Sequence, residues 1–254
     1  MGAITLFDLR GRVAVVTGGN GGIGRGMALG LARAGAGVSV LARNGQKNQD
    51  VVNELKALGV PAMAVKIDLT QRDQLEPALE EVEQTLGPVD ILVNNAGIAV
   101  IGGTLEQKAE DWDRVIETNL NVGFFLSRLA ARSMVKRGSG KIINIASEYA
   151  RFGSGFHASY SVAKAAIVQL TKSMAIEYAP FNIQVNAIAP GWIETDLTAA
   201  VKGLPLNDEI LLRTPASRWG TPEDLAGTAV YLASRASDFV TGATIFVDGG
   251  YAIR

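Results

Sequence analysis

The chain has 254 residues, 48% of them hydrophobic, enough to close one substantial core, and doubly wound α/β folds commonly reach this length as one domain, here residues 1–254. With 24 Lys and Arg against 25 Asp and Glu, the formal net charge is −1 and no long basic run offers nucleic acid a footprint. Cysteine is absent and His157 is the only histidine, which excludes disulfides and thiolate or multi-histidine metal centres. Residues 1–8 lack the basic segment and apolar core of a signal peptide. No apolar stretch approaches the roughly 18 residues of a membrane span. A cytoplasmic protein is expected, without nucleic-acid or membrane partners.

Short β-branched runs at residues 13–17, 38–41, 62–67, 91–94, 141–146, 184–188 and 244–247 predict strands buried on both faces. Residues 22–34, 46–58, 72–86, 110–137, 158–178 and 222–234 are long enough for crossover helices. The alternation predicts a single-domain α/β fold, a parallel sheet of about seven strands with helices on both faces. Thr221, Pro222, Glu223 and Asp224 suit the start of the last helix, as cap, first-turn proline and acidic residues. Residues 192–219 are the least regular stretch and are expected to form a lid. Arg128, Arg132 and Lys136 form a stripe at helical spacing, expected to be a solvated or interfacial face.

The first strand runs into a loop, residues 17–24, that opens a helix. Glycine permits close backbone approach, and free amides at a helix start attract an anion. Gly18, Asn20, Gly22, Ile23 and Gly24 are therefore candidate dinucleotide contacts, although Gly18-x3-Gly22-x-Gly24 departs from the usual GxGxxG. After the second strand, where an acid commonly binds the ribose hydroxyls, the chain has Ala42, Arg43 and Asn44. Arg43 would attract a 2′-phosphate, so NADP(H) is expected as the preferred cofactor, with NAD(H) the alternative. Asp68, beside Leu69, can accept from an adenine amino group or cap the following helix. Asn95, Ala96 and Gly97 end the fourth strand where a ribose could lie, and Asn94 can instead tie strands together. Ser147 follows the fifth strand at the carboxyl edge of the sheet, where ligands bind in such folds.

Tyr160 and Lys164, four apart on one helix face, place an ammonium beside a phenol. A free phenol has a pKa of about 10, so use as a base near neutrality needs roughly 3–4 kcal/mol from positive charge. Lysine and a nicotinamide cation together could supply it. His157, just before that helix, is expected at the substrate rim or in a structural role.

In this order the motifs resemble the short-chain dehydrogenase/reductase family, with its Rossmann-type fold, from about Arg12 to Gly250. The resemblance implies that Tyr160 is the general acid/base, that Ser147 orients the substrate oxygen, and that Lys164 lowers the tyrosine pKa while holding the nicotinamide ribose. It also implies that Asn119 completes a proton relay. Pro190, Gly191, Ile193 and Thr195 resemble the segment that fixes the carboxamide. A homotetramer built on the two long helices is implied as well. Many NADP-using relatives carry a basic residue where this chain has Gly21, leaving Arg43 as the main candidate.

The motif from Arg213 to Gly220 and the helix start from Gly24 to Gly30 are similar to gluconate and deoxygluconate dehydrogenases. A small ketone, hydroxy acid or sugar acid is the first expectation and a 3-oxoacyl-carrier-protein reductase the second. A dinucleotide sensor without chemistry is the alternative of another class, against which Asn119, Ser147, Tyr160 and Lys164 argue together.

Overall fold

The computed structural model describes residues 3–254. Its strands are β1 (Val13–Thr17), β2 (Gly37–Ala42), β3 (Ala62–Lys66), β4 (Val89–Asn94), β5 (Gly140–Ile145), β6 (Ile183–Pro190) and β7 (Thr244–Val247). Its α-helices are α1 (Gly22–Arg33), α2 (Gly45–Ala57), α3 (Leu75–Leu86), α4 (Ala109–Ile116), α5 (Val122–Arg137), α6 (Ala158–Tyr178), α7 (Leu206–Arg213) and α8 (Ala226–Ala233). The strands form one parallel sheet in the order β3-β2-β1-β4-β5-β6-β7.

Alternation along the strands explains the two cores. Ala14 and Val16 of β1 face one side with Met27 and Leu31 of α1, Val51 and Leu55 of α2, and Leu232 of α8. Val13 and Val15 face the other with Leu79 and Val82 of α3, Leu126 and Met134 of α5, and Met174 of α6. Because both faces of the central strands are covered, their sequences read as unbroken apolar runs. The chain builds outward from β1 through β2 to β3, then returns to place β4 on the other side of β1, with Val16 level with Val93. That reversal opens a crevice beyond the carboxyl ends of β1 and β4, the usual ligand position in open α/β sheets.

The structure revises two expectations. The predicted helix over residues 110–137 is divided by a π-turn, Glu117–Asn121, between α4 and α5. From this wide turn Asn119 donates through Nδ2 to the Ile98 carbonyl at 2.7 Å and accepts from the Ile98 amide at 2.7 Å. These bonds anchor the turn across the chain; such interruptions commonly mark functional positions. The stretch at 192–219 is more ordered than predicted, containing a 3-10 turn, Ala199–Gly203, and the eight-residue α7. Only Ile210 of α7 is buried, so the helix carries no apolar stripe for periodicity to reveal. The last predicted helix begins as a 3-10 turn, Pro222–Leu225, with Asp224 accepting from the Thr221 amide at 2.7 Å.

Candidate active site

The glycine loop is folded by its lack of side chains and then fastened by its neighbours. Gly18 has φ +63°, and a Cβ on Gly24 would lie 2.4 Å from the Gly18 carbonyl oxygen. The loop therefore closes on itself only with glycine at position 24, which gives the unusual spacing a steric reason. Thr17 Oγ1 accepts from the amides of Asn95 (2.9 Å) and Ala96 (3.0 Å), while Asn95 Nδ2 donates to the Thr17 carbonyl at 2.9 Å. Asn20 donates to Asn48 Oδ1 at 2.7 Å, and Asn48 donates to the Ala42 carbonyl at 2.9 Å. Asn94 ties the scaffold, donating at 2.8 Å to both Ser127 Oγ and Asn144 Oδ1. No side chain caps the start of α1, leaving its first-turn amides to face a ligand.

Two adjoining cavities, of about 370 and about 410 Å³, share Gly18, Asn20, Lys47, Ala96 and Gly97. The first is bounded by Gly22, Ile23, Gly24 and Asn95 on one wall and Ser147, Tyr160 and Lys164 on another, with Pro190, Gly191, Ile193 and Thr195 closing it. The second carries Arg43, Asn44, Asp68 and Leu69. The cofactor residues expected from the sequence thus line one continuous cleft. Asp68 Oδ1 accepts from the Thr70 amide (3.1 Å) and hydroxyl (2.8 Å), closing the turn before the helical segment at Arg72 without capping it, since the N-cap there is Gln71. The Thr70 amide, followed by its hydroxyl and the Arg43 charge, holds the Asp68 carboxyl below the ordinary range. A cradle that side chains would fill, free helix amides, and a cation at the far end fit a phosphorylated dinucleotide.

Across the cleft, Ser147 ends the β5 segment and its Oγ accepts from the Tyr149 amide at 3.2 Å. Tyr160 and Lys164 sit on the first turns of α6. Lys164 is buried, and its Nζ donates to the Ile145 carbonyl at 2.7 Å and lies 5.5 Å from the Tyr160 ring centre. Burial lowers the Lys164 pKa to about 8. The Tyr160 phenol is displaced upward from its ordinary value, chiefly by burial; the Ser147 hydroxyl opposes this and the Glu148 charge adds to it. The groups of this chain alone therefore keep the phenol protonated, and the lysine ammonium is aimed at a backbone carbonyl. Asn119 stands behind Gly97: a Cβ there would lie 2.8 Å from Asn119 Oδ1 and 3.6 Å from Lys164 Nζ. Glycine keeps that space open.

Beside Tyr160 the surroundings are aromatic. The Tyr149 ring centre is 6.1 Å from Tyr160, 5.7 Å from His157 and 6.3 Å from Trp192. Trp192 Nε1 is buried with no hydrogen-bond partner. Burial pulls the His157 pKa below 6.5, and its Nδ1 is 3.3 Å from Ser154 Oγ. Sequence reasoning missed Lys47, Asp196 and Thr198, which also line the cleft. Lys47 Nζ reaches Asp196 Oδ2 at 3.1 Å across it. Asn44 as cap of α2, accepting from the Lys47 amide at 3.0 Å, was the available signal. It places Lys47 in the first turn beside Arg43.

Residues 18–252 match the family model described as enoyl-(acyl carrier protein) reductase. The chain is 41% identical over 254 residues to a 2-dehydro-3-deoxy-D-gluconate 5-dehydrogenase of Formosa agariphila, covering 98% of this chain and 95% of that protein. It is 40% identical over 249 residues to the gluconate 5-dehydrogenase of Gluconobacter oxydans, covering 98% and 97%. Among solved structures it resembles a gluconate 5-dehydrogenase from Burkholderia cenocepacia in complex with NADP and tartrate, at TM-score 0.96 and 39% identity over 100% of both chains.

Proposed function

The chain belongs to the short-chain dehydrogenase/reductase family, and from that premise we propose that it exchanges a hydride between NADP(H) and a carbonyl or secondary alcohol of a small sugar acid. The observation that carries this is the convergence of Ser147, Tyr160 and Lys164 on one wall of a cleft whose other wall is the glycine loop. The named sugar-acid dehydrogenases among the relatives, and the NADP in the Burkholderia cenocepacia structure, support the substrate class and the cofactor. Arg43, with Lys47 beside it, would hold the 2′-phosphate, and the amides of the glycine loop the diphosphate.

A bound nicotinamide supplies the hydride in reduction and receives it in oxidation. The Ser147 hydroxyl orients the substrate oxygen, and the Tyr160 Oη gives that oxygen its proton in reduction and takes it back in oxidation. Lys164, fixed on the Ile145 carbonyl, supplies positive charge behind the phenol, and Asn119 borders the route by which a proton returns to Lys164. Residues 192–219 would cover the substrate.

Assembly as a homotetramer belongs to the same reading, supported by the exposed Phe124 on α5, Ile176 on α6 and Phe246 on β7. Light scattering checks it. A cytoplasmic location belongs to the same reading. Among the described residues no helix is long and apolar enough to cross a membrane.

The test is a panel of keto-sugar acids, hydroxy acids and acetoacetyl thioester, followed by NADPH and NADH absorbance. Turnover of a sugar acid with NADPH, lost in Tyr160→Phe with cofactor binding kept, is expected. Faster turnover of the thioester would make the acyl-carrier reaction the better reading. Turnover unaffected by Tyr160→Phe would remove the proton-transfer role.

A further inference from the structure

Glu148, the residue after Ser147, opens the 3-10 turn Glu148–Ala150. It is 3% exposed, and its Oε2 has no hydrogen-bond partner. A carboxylate in that position has given up hydration without recovering it, which favours the neutral acid. Four titratable or charged groups face it: Asp248 from the turn after β7, Arg213 from the end of α7, Tyr149 from its own turn and Tyr160 from α6.

Arg213 is engaged elsewhere. Its guanidinium carbon lies 4.3 Å from the Tyr251 ring centre and 4.6 Å from that of Phe152, and its Nε is buried without a hydrogen-bond partner. Asp248 accepts from the Gly250 amide at 2.9 Å through Oδ1 and from the Ala252 amide at 2.8 Å through Oδ2. A proton that relieves repulsion between the two carboxyls is therefore better placed on Glu148, whose Oε2 receives nothing. Burial first, then the Asp248 charge, push the Glu148 carboxyl up to about 8, with Arg213 opposing.

We propose that Glu148 is a positioning residue for proton transfer: its charge sets the proton affinity of the Tyr160 phenol, and so the pH at which the site passes from carbonyl reduction to alcohol oxidation. The proposal rests on the oxidoreductase reading above. While Glu148 is neutral, it adds nothing to what burial, the Ser147 hydroxyl and the nearby Lys164 ammonium do to the phenol. Once Glu148 loses its proton to solvent, its negative charge opposes formation of a second one on Tyr160. Oxidation, which needs the phenolate, is thereby delayed to higher pH, and reduction, which needs the phenol, is extended.

Glu148→Gln keeps the shape and removes the charge. The alkaline rise of kcat/KM for alcohol oxidation should move down by about one pH unit, and Glu148→Asp should move it back toward wild type. An unchanged or upward-shifted profile overturns the proposal. Titration of 13Cζ-labelled tyrosine, with the Tyr160 resonance assigned by its loss in Tyr160→Phe, needs no turnover. It should give a lower Tyr160 pKa in Glu148→Gln; equal values overturn the proposal. If neither variant folds, the wild-type Tyr160 resonance decides: a step near pH 8 before the phenol's own titration supports the role, and a single step refutes it. A phenol that responds to Glu148 in a protein that turns over no alcohol or carbonyl would sink the functional reading and leave the electrostatic one standing.

Discussion

The two walls of the cleft are built on opposite principles. On the dinucleotide wall the glycine loop's polar side chains are engaged, Thr17 and Asn95 each with the other's backbone and Asn20 with Asn48, leaving the amides at the start of α1 and, at the far end, Arg43 for a ligand. Across the cleft, the packing behind the wall of Ser147, Tyr160 and Lys164 leaves Trp192 Nε1, Glu148 Oε2 and Arg213 Nε buried without partners. A rigid cradle suits a ligand whose shape never changes. Buried surroundings behind the other wall instead shift the proton affinities of the groups they hold, Tyr160 upward and Lys164 downward.

Filling the cradle is the most severe way to break that contrast. In Gly24→Ala the new methyl meets the Gly18 carbonyl and the Asn95 amide, so dinucleotide affinity should fall about a hundredfold, with roughly 1–3 kcal/mol lost in stability. Fluorescence titration and thermal unfolding measure both. Unchanged affinity would mean the loop is not the rigid element described.

Arg43→Ala sharpens the contrast within the cofactor half. Loss of one charge-assisted contact should raise the KM for NADPH about tenfold and leave that for NADH nearly unchanged. Parallel steady-state assays decide it, and equal increases for both cofactors would remove Arg43 from the phosphate site.

Trp192→Phe is the mildest change. It deletes a buried indole N–H that has no partner and keeps an aromatic face against Tyr149, so the substrate KM should change by no more than about two-fold with cofactor affinity constant. An effect on cofactor but not on substrate would mean that the two walls are not separate.

The same contrast explains what could be read from the chain alone. The strands were legible because a sheet covered on both faces demands continuous β-branched runs, and the glycine loop because close backbone contact tolerates little else. Tyr160 and Lys164 were legible as a pair because helical spacing fixes their shared face. The π-turn was not, since nothing in the order Glu117, Thr118, Asn119 announces that Asn119 will bond to Ile98, 21 positions earlier. Helix α7 was hidden by having one buried residue. Glu148 passed unremarked because a glutamate after a loop serine is ordinarily solvated, and only the packing of its turn in the tertiary fold, against α6 and β6, buries it. The direction of the Tyr160 shift was likewise invisible: spacing put the lysine on the right face but could not say that its ammonium would point at Ile145.

That last point is the centre of the account, which holds that this chain by itself keeps the phenol protonated and that a base appears only when a cationic nicotinamide is bound. Titration of the labelled Tyr160 resonance, with and without saturating NADP+, tests it most directly. A pKa above the ordinary phenol value in the free protein, falling by more than one unit with NADP+, is the result expected. A phenol that ionises below its ordinary value without cofactor, or one indifferent to NADP+, would contradict it.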